Sequence, residues 1–328
     1  MVPFCDLRRA LQPIMPAIKN AAARVIQSGQ FLRGRETAAF EEEWAAFCGQ
    51  RYCVACGSGT DALTIAATAL GLPRAVVPAT TSPMTAIGLH RGGTVVEPAD
   101  ISSDGFLVGP TAESVPVLLY GRLPSITELR VCQLFDAAHA HGWQPPSHAT
   151  VAWSFYPTKS IGALGDAGAV TTNDGVLALK MHNLCGRDDV LRTERQITSR
   201  IDELQAAILR VKLKHYTDWF EERQRIAARY AAELPAARLL PGPSLHHLFV
   251  VKSDERDELQ AFLLGRGIQT KVHFPTPLHR QRAPWGSYGL LPVAEAWCNQ
   301  VLSLPCYPGL RPDEIEEVCR AIRDWHEQ

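Results

Sequence analysis

Residues 153–174 have the sequence WSFYPTKSIGALGDAGAVTTND, in which one lysine stands between two short apolar segments. Lys159 follows a strand-like start and precedes a glycine-rich stretch, after which AVTT predicts another strand. Burial among small and apolar residues lowers the pKa of an ammonium group, and a lysine tuned in this way suits Schiff-base chemistry. A surface lysine in a flexible loop is the alternative interpretation of this segment alone.

Short apolar runs alternate with helical patterns around this segment. The predicted strands are YCVAC, AVVPA, TVVEP, VPVLLY and CQLFDA, each a continuous apolar run rather than an alternating one. Continuous runs are typical of a largely parallel sheet that helices cover on both faces. The sequence therefore predicts an α/β fold.

The pattern changes near Asp202. Residues 202–234 form one long helical pattern with room for a single break. After it, HHLFVVKS predicts a strand, DERDELQAFLLGRG a helix, IQTKVHF a strand and RPDEIEEVCRAIRDWHEQ a last helix. This order predicts a smaller α+β domain, and we place the two domains at residues 1–212 and 213–328, with the N-terminal residues packing on the second.

Composition and net charge argue against nucleic acid or an anionic membrane as the partner. The chain has 328 residues and a formal net charge of −1, so no overall field attracts nucleic acid or an anionic membrane. Its nine cysteines have no framework spacing, and the N-terminus lacks the apolar stretch of a secretory signal, so we expect a cytoplasmic location. Cys53 and Cys56 form a C-x-x-C without a second pair at zinc spacing; we interpret them as core cysteines and expect no metal site.

The segment GSGTDAL at residues 57–63 places small residues between a predicted strand and a predicted helix. Such a junction leaves backbone N–H groups at the positive end of the helix dipole, where a phosphate can bind. Thr60 adds a hydroxyl group. A tight turn followed by a helix cap is the alternative interpretation.

Asp136 ends the predicted strand of CQLFDAAHAHG, residues 132–142. Ligands usually bind where the strands of a parallel sheet end, so a carboxylate there indicates a site. The alternative makes Asp136 a helix cap, with His139 and His141 as incidental surface residues. Two histidines at i and i+2 without a third ligand make a poor metal site.

The three segments together match the three polar requirements of pyridoxal phosphate. This cofactor needs its phosphate anchored, its pyridine nitrogen held protonated, and its aldehyde captured by an amine. We therefore predict a pyridoxal-phosphate site in which Lys159 supplies the amine and Asp136 the carboxylate.

The sequence also resembles the DegT/DnrJ/EryC1/StrS family, the sugar-nucleotide aminotransferases of fold type I. The resemblance runs from about Phe4 to the C-terminus and includes FEEEWAAFCG, GSGTDAL, FDAAHAHG, SFYPTKSIGALGDAGAV, RIDELQAAIL, IQTKVHFPTPLH and LSLPCYPGL. It implies a large domain with a mostly parallel mixed sheet between helices, a smaller C-terminal α+β domain, and a homodimer with active sites at the subunit interface.

Residue by residue, the resemblance implies that Lys159 carries the cofactor as a Schiff base and shuttles protons, while Asp136 pairs with the pyridine nitrogen. The further cofactor contacts that it implies are Gly59, Thr60, Ala138, His139, Ser154 and Thr198. The substrate contacts that it implies are Arg187, His273 and His279, and a structural role is the alternative for each of them.

Two positions depart from the family pattern. Ser82 stands where relatives usually place a phenylalanine or tryptophan on the open face of the cofactor ring. Thr198 stands where relatives often have an asparagine, two residues before the arginine of R-x-D-E-L-Q-A-A, in the loop with which a partner subunit reaches the phosphate. Both departures leave Lys159 and Asp136 in place.

The function implied is transfer of an amino group, from L-glutamate, onto a nucleotide-linked keto-sugar, giving an amino sugar for an antibiotic, an O-antigen or another glycan. A cyclitol acceptor is an open alternative. A second is a dehydratase that uses pyridoxamine phosphate, although those relatives replace the lysine by histidine. A third is a sensory or regulatory member that binds cofactor or sugar without turnover.

Overall fold

The computed structural model describes residues 1–186, 196–235, 239–286 and 289–326. Its helices are α1 (Leu7–Leu11), α2 (Met15–Ser28), α3 (Arg35–Phe47), α4 (Gly59–Leu70), α5 (Pro83–Arg91), α6 (Ile126–Val131), α7 (Gly175–Leu184), α8 (Glu203–Leu213), α9 (Tyr216–Glu233), α10 (Arg256–Gly265), α11 (Pro292–Gln300) and α12 (Pro312–His326). Its strands are β1 (Tyr52–Cys56), β2 (Arg74–Pro78), β3 (Val95–Ala99), β4 (Leu134–Asp136), β5 (Thr150–Ser154), β6 (Gly168–Thr172), β7 (Phe249–Lys252) and β8 (Val301–Leu304). Within these described ranges, no helix has both the length and the apolar character needed to cross a membrane.

The central sheet is mixed, with parallel pairing through most of its width. Strands β1, β6, β5 and β4 lie side by side in that order. β4 and β5 are parallel, and β6 is antiparallel to both of its neighbours. β2 and β3 form a parallel pair, which the parallel bridges Val76–Ser114 and Val117–Asp136 connect to β4. The α/β class predicted from the sequence is therefore confirmed.

Both faces of the sheet are buried. On β5, Val151 and Trp153 point into a core that α3 and α8 cover, whereas Ala152 points into the core on the opposite face, which α4, α5 and α7 cover. This two-sided burial explains why the strand sequences are continuously apolar. It also leaves the strand ends as the part of the sheet open to a ligand.

The C-terminal part has a core of its own around the antiparallel pair β7 and β8. Helices α9, α10 and α12 pack on this pair, and Val2 joins the same core through its bridge to Ile268. The long helical pattern of residues 202–234 is broken once, between α8 and α9. The proposed domain boundary at 212/213 falls next to this break.

Two predicted strands differ from the structure. IQTKVHF makes only isolated bridges, from Ile268 to Val2 and from Lys271 to Ser303, and Phe274 then turns the chain with a φ of 56°. The strand that pairs with β7 is instead β8, which follows the unpredicted helix α11. VPVLLY likewise makes only an isolated bridge, from Val117 to Asp136, and Tyr120 then adopts a φ of 64° in a short turn.

Candidate active site

A cavity of about 330 Å³ lies where β4 and β5 end and where α4 and α5 begin. Residues from distant parts of the chain line it because the sheet brings these element ends together. The residues predicted for the cofactor that line this cavity are Gly59, Thr60, Asp136, Ala138, His139, Ser154 and Lys159. Thr85, Tyr156, Asp166 and Phe274 line it as well, although the sequence did not single them out.

Asp136 is the last residue of β4 and is only 5% exposed. Its Oδ2 accepts a hydrogen bond of 2.8 Å from Oγ1 of Thr85, and its Oδ1 accepts one of 3.1 Å from the backbone N–H of Ala138. Burial raises the pKa of the Asp136 carboxyl, while these two hydrogen bonds and the charge of Lys159 oppose that rise. No helix begins directly after Asp136, so the alternative of a helix cap is wrong.

Lys159 lies half-buried in a turn after β5, and its backbone N–H donates to the carbonyl of Tyr156 at 2.8 Å. Desolvation lowers the pKa of its amine to about 8; Asp136 opposes this fall, and Lys271 adds to it by repulsion. A lysine with this pKa is partly neutral near physiological pH, so it can act both as a nucleophile and as a proton carrier.

His141 holds the two ends of the segment that carries Lys159. Its Nδ1 accepts from the backbone N–H of Ile161 at 3.1 Å, so Nε2 carries the hydrogen and donates to the carbonyl of Ser154 at 3.0 Å. Its side chain is 1% exposed, so the interpretation of His141 as a surface residue is wrong. Its partners lie 13 and 20 residues away, and no local pattern could identify it.

The start of α4 supplies backbone N–H groups to the cavity that Asp136 also lines. Ser58 caps the helix by accepting from the backbone N–H of Asp61 at 3.1 Å, and the first N–H groups of the helix have no partner inside it. A Cβ atom at Gly59 would lie 2.6 Å from the Cβ of Ser154, so only glycine lets these two segments approach so closely. Such an arrangement can hold a phosphate, and we call this helix start the phosphate cradle.

Ser199 ties a distant segment to this cradle. Its Oγ accepts from the backbone N–H of Gly57 at 2.9 Å and donates to Oδ2 of Asp61 at 2.7 Å. The neighbouring Thr198 is exposed and does not line the cavity. The structure thus brings the loop before α8 close to the cradle, with Thr198 facing outwards.

His139 is held in one tautomer. Its Nδ1 accepts from the backbone N–H of Tyr120 at 3.1 Å, so Nε2 carries the hydrogen. Burial lowers the pKa of His139 well below its usual value, which keeps the ring neutral. The Phe274 ring lies nearly parallel to it, with 6.4 Å between centroids.

Two of the three residues predicted to contact substrate, His273 and His279, do not line the cavity. Nδ1 of His273 lies 2.8 Å from Oγ of Ser303, and Nε2 of His279 lies 2.7 Å from Oε1 of Glu295. Arg187 lies outside the described residues.

Ser82 and the cysteine pair have ordinary structural surroundings. Ser82 lines the cavity and caps α5 by accepting from the backbone N–H of Met84. Cys53 and Cys56 are buried in β1. In the part of the chain that the structure describes, no group of three or more histidine, cysteine or acidic residues is placed to hold a metal ion.

The donor set fits a cofactor that carries a phosphate, a basic ring nitrogen and an aldehyde. The buried Asp136 carboxylate suits a protonated ring nitrogen, the N–H groups at the start of α4 suit a phosphate, and the Lys159 amine suits an aldehyde. Pyridoxal phosphate has all three groups.

Comparison with known proteins agrees with this geometry. The sequence model of the DegT/DnrJ/EryC1/StrS aminotransferase family matches residues 13–323. The chain is 37% identical to the erythromycin biosynthesis sensory transduction protein EryC1 of Saccharopolyspora erythraea, over 98% of this chain and 99% of that protein. It is 34% identical to the dTDP-3-amino-3,4,6-trideoxy-alpha-D-glucose transaminase of Streptomyces venezuelae, over 100% of this chain and 97% of that enzyme.

A solved structure has the same fold. NtdA from Bacillus subtilis, determined with bound cofactor PMP, superimposes with a TM-score of 0.90 at 26% identity, covering 100% of this chain and 85% of NtdA.

Proposed function

The chain belongs to the DegT/DnrJ/EryC1/StrS aminotransferase family, and on this premise we propose that it transfers an amino group onto a nucleotide-linked keto-sugar, using pyridoxal phosphate as its cofactor. It is an aminotransferase by family, and the relatives along its full length include transaminases of dTDP-linked and UDP-linked sugars. We propose L-glutamate as the amino donor and an amino sugar as the product.

One observation carries this proposal. Asp136 and Lys159 line the same cavity, and the charge of each acts on the pKa of the other. Transamination needs one group that holds a positive charge on the cofactor ring and another group that moves protons. The buried carboxylate suits the first role, and the lysine of lowered pKa suits the second.

Pyridoxal phosphate, when bound, supplies an aldehyde that an amine can join and a protonated ring that accepts electrons. Asp136 would hold the proton on the ring nitrogen, and Thr85 keeps that carboxylate oriented. Gly59, Thr60 and Ser154, which line the cavity, would bind the phosphate. Nε2 of His139 carries the hydrogen, because Nδ1 accepts from Tyr120, and it would donate towards an oxygen of the cofactor.

Lys159 is the proposed acid and base of the reaction. In the loaded enzyme Nζ of Lys159 would bind the cofactor aldehyde. As a free amine it would carry a proton from the donor α-carbon to the former aldehyde carbon of the cofactor. Positioned acid–base catalysis of this kind contributes on the order of 10²–10⁴-fold to a rate.

We also propose that two copies of the chain form each active site. Thr198 is exposed beside Ser199, which contacts the phosphate cradle, and this exposure supports a contact with a second subunit. In this arrangement Thr198 of one subunit supports the phosphate bound by the other, as the family resemblance implies.

The two competing functions make different demands. A dehydratase of this family has histidine in place of the lysine, and this chain has Lys159. A sensory role has support from the name of the first relative, EryC1. It does not need a lysine with a lowered pKa facing a buried carboxylate, and for that reason we favour the catalyst.

The proposal is tested with purified protein loaded with pyridoxal phosphate. L-Glutamate should convert the cofactor to its amino form and release 2-oxoglutarate, and a panel of keto-sugar nucleotides should then restore the original absorbance. Lys159→Ala should lose at least two orders of magnitude in rate, with Lys180→Ala, a change of an exposed lysine on α7, as the matched control. A wild-type protein that binds the cofactor without forming 2-oxoglutarate would support the sensory function, and an undiminished rate in Lys159→Ala would rule out the mechanism.

A further inference from the structure

A second cavity, of about 30 Å³, shares Lys159 with the first. It lies between the N-terminal segment, the turn that carries Lys159, and the helices α8 and α9. Its charged lining residues are Asp6, Lys159, Lys212 and Arg223, and its uncharged polar lining residues include Tyr307, Cys5 and Ser160. The proposed reaction uses only Lys159 among them.

Lys212 brings an unpaired charge to this cavity. Its side chain is 4% exposed, and Nζ donates a hydrogen bond to the carbonyl of Gly162 in the Lys159 turn. No carboxylate of the described residues lies within ion-pair distance of it. Burial alone lowers the pKa of Lys212 to about 8, so the ammonium form still predominates at pH 7.

Arg223 is a second buried cation at this cavity, and it also lacks a carboxylate partner among the described residues. Its side chain is 6% exposed, and Nη1 donates to the carbonyls of His247 at 3.1 Å and of Cys306 at 2.6 Å. Its Nε is buried without a hydrogen-bond partner, and no carboxylate of the described ranges pairs with the guanidinium. The hydroxyl of Tyr307, in a residue 3% exposed, is also buried without a partner.

Asp6 is the one carboxylate among the described residues that line this cavity, and it is already engaged. Its Oδ1 accepts from the backbone N–H and from Nε of Arg8, at 3.1 and 3.2 Å, and its Oδ2 lies 3.6 Å from Nε of Arg9. The cavity wall therefore carries an excess of positive charge, together with two unused hydrogen-bond donors.

Buried charges in proteins are almost always paired, and buried donors almost always have acceptors. We propose that this cavity binds one small monovalent anion, such as chloride, between Lys212, Arg223 and Tyr307. The volume holds a single small ion. A water molecule would satisfy the donors but would leave both charges uncompensated. Because Lys159 lines the same cavity, the anion would also favour the ammonium form of that lysine.

The first test compares the melting temperature of the full-length, cofactor-loaded protein in sodium chloride and in sodium gluconate at equal ionic strength. Gluconate is too large for a cavity of about 30 Å³. Chloride at roughly ten times its dissociation constant should raise the melting temperature by on the order of 2–4 °C relative to gluconate. Lys212→Met should remove this increment, and Tyr307→Phe should reduce it. Lys214→Met, which changes an exposed lysine next to the end of the same helix, should keep it.

The second test is anomalous diffraction from crystals soaked in bromide, which should give a peak between Lys212 and Arg223. Equal melting temperatures in the two salts, or an increment that survives in both Lys212→Met and Tyr307→Phe, would overturn the proposal. A bromide peak without a chloride increment in solution would mean binding at crystal concentration only and would also overturn it. If Lys212→Met does not fold, Tyr307→Phe and the bromide crystals still decide the question.

Discussion

Thr85 donates a hydrogen bond of 2.8 Å to Asp136 from α5 to the end of β4, and both side chains are buried. The bond favours the ionised carboxylate, against the desolvation that raises its pKa. Thr85→Val removes the donor at nearly constant volume, so the pKa of Asp136 should rise and its hold on a protonated ring nitrogen should weaken.

We expect Thr85→Val to weaken pyridoxal-phosphate binding about 10- to 100-fold, since hydrogen bonds to charged groups contribute about 1.5–3 kcal/mol. Absorbance titration of the cofactor-free protein measures this affinity. Thr85→Ser keeps the hydroxyl and serves as the control. If the valine and serine variants bind the cofactor equally well, the hydroxyl has no such role.

The pKa of Lys159 predicts how the cofactor-free protein reacts with pyridoxal phosphate. The neutral amine is the nucleophile, so the rate should rise with pH and level off above about pH 8, well below the range of an ordinary lysine. Stopped-flow absorbance over a pH series measures this profile.

Two variants should move the profile of Lys159 in opposite directions. Asp136→Asn removes a charge that raises the pKa of Lys159, so its plateau should begin at lower pH. Lys271→Ala removes a charge that lowers this pKa, so its plateau should begin at higher pH. Shifts of the same sign in both variants would show that electrostatics do not set the pKa.

The sequence located the cofactor residues that stand where strands end or helices begin. Asp136 and Gly59 occupy such positions, and the rule that ligands bind at strand ends predicts that they meet, whereas Ser154 was implied by the family resemblance. The structure lines one cavity with all three. Their individual roles stay predictions until the cofactor is studied bound.

The residues that orient this site could not be predicted in the same way. Thr85 stands inside a helix, and His141 contacts backbone groups 13 and 20 residues away, so neither has a local signature. The strand predicted at IQTKVHF failed for a related reason. Its pattern suits a strand, but the segment pairs with β8 only at Lys271 and then turns at Phe274, and these features have no local signature.

The close approach of Gly59 and Ser154 can be tested by adding one methyl group. A Cβ at residue 59 would lie 2.6 Å from the Cβ of Ser154, so Gly59→Ala must push the start of α4 away from β5. We expect weaker cofactor binding and a loss of stability of about 1–3 kcal/mol, typical of overpacking. Phosphate-dependent thermal shifts and chemical denaturation measure the two effects.

Gly265 provides the control for Gly59. It is also a helical glycine, and a Cβ there would meet nothing within 4 Å. Gly265→Ala should leave cofactor binding unchanged and stabilise the protein by up to about 1 kcal/mol. Equal effects at the two positions would show that the contact with Ser154 does not shape the site.

The shared active site can be tested with hybrid dimers. Thr198→Asp places a negative charge where the proposal puts the phosphate of the partner's cofactor, so its homodimer should bind the cofactor poorly. Lys159→Ala should give an inactive homodimer. A hybrid dimer of one Thr198→Asp chain and one Lys159→Ala chain can be isolated with two affinity tags. One of its sites combines Lys159 of the Thr198→Asp chain with Thr198 of the Lys159→Ala chain. That site is intact, so the hybrid should recover about half of the activity of the symmetric wild-type dimer. If Thr198 acts within its own chain, the hybrid has no intact site and no activity returns; a fully active Thr198→Asp homodimer would remove Thr198 from the site altogether.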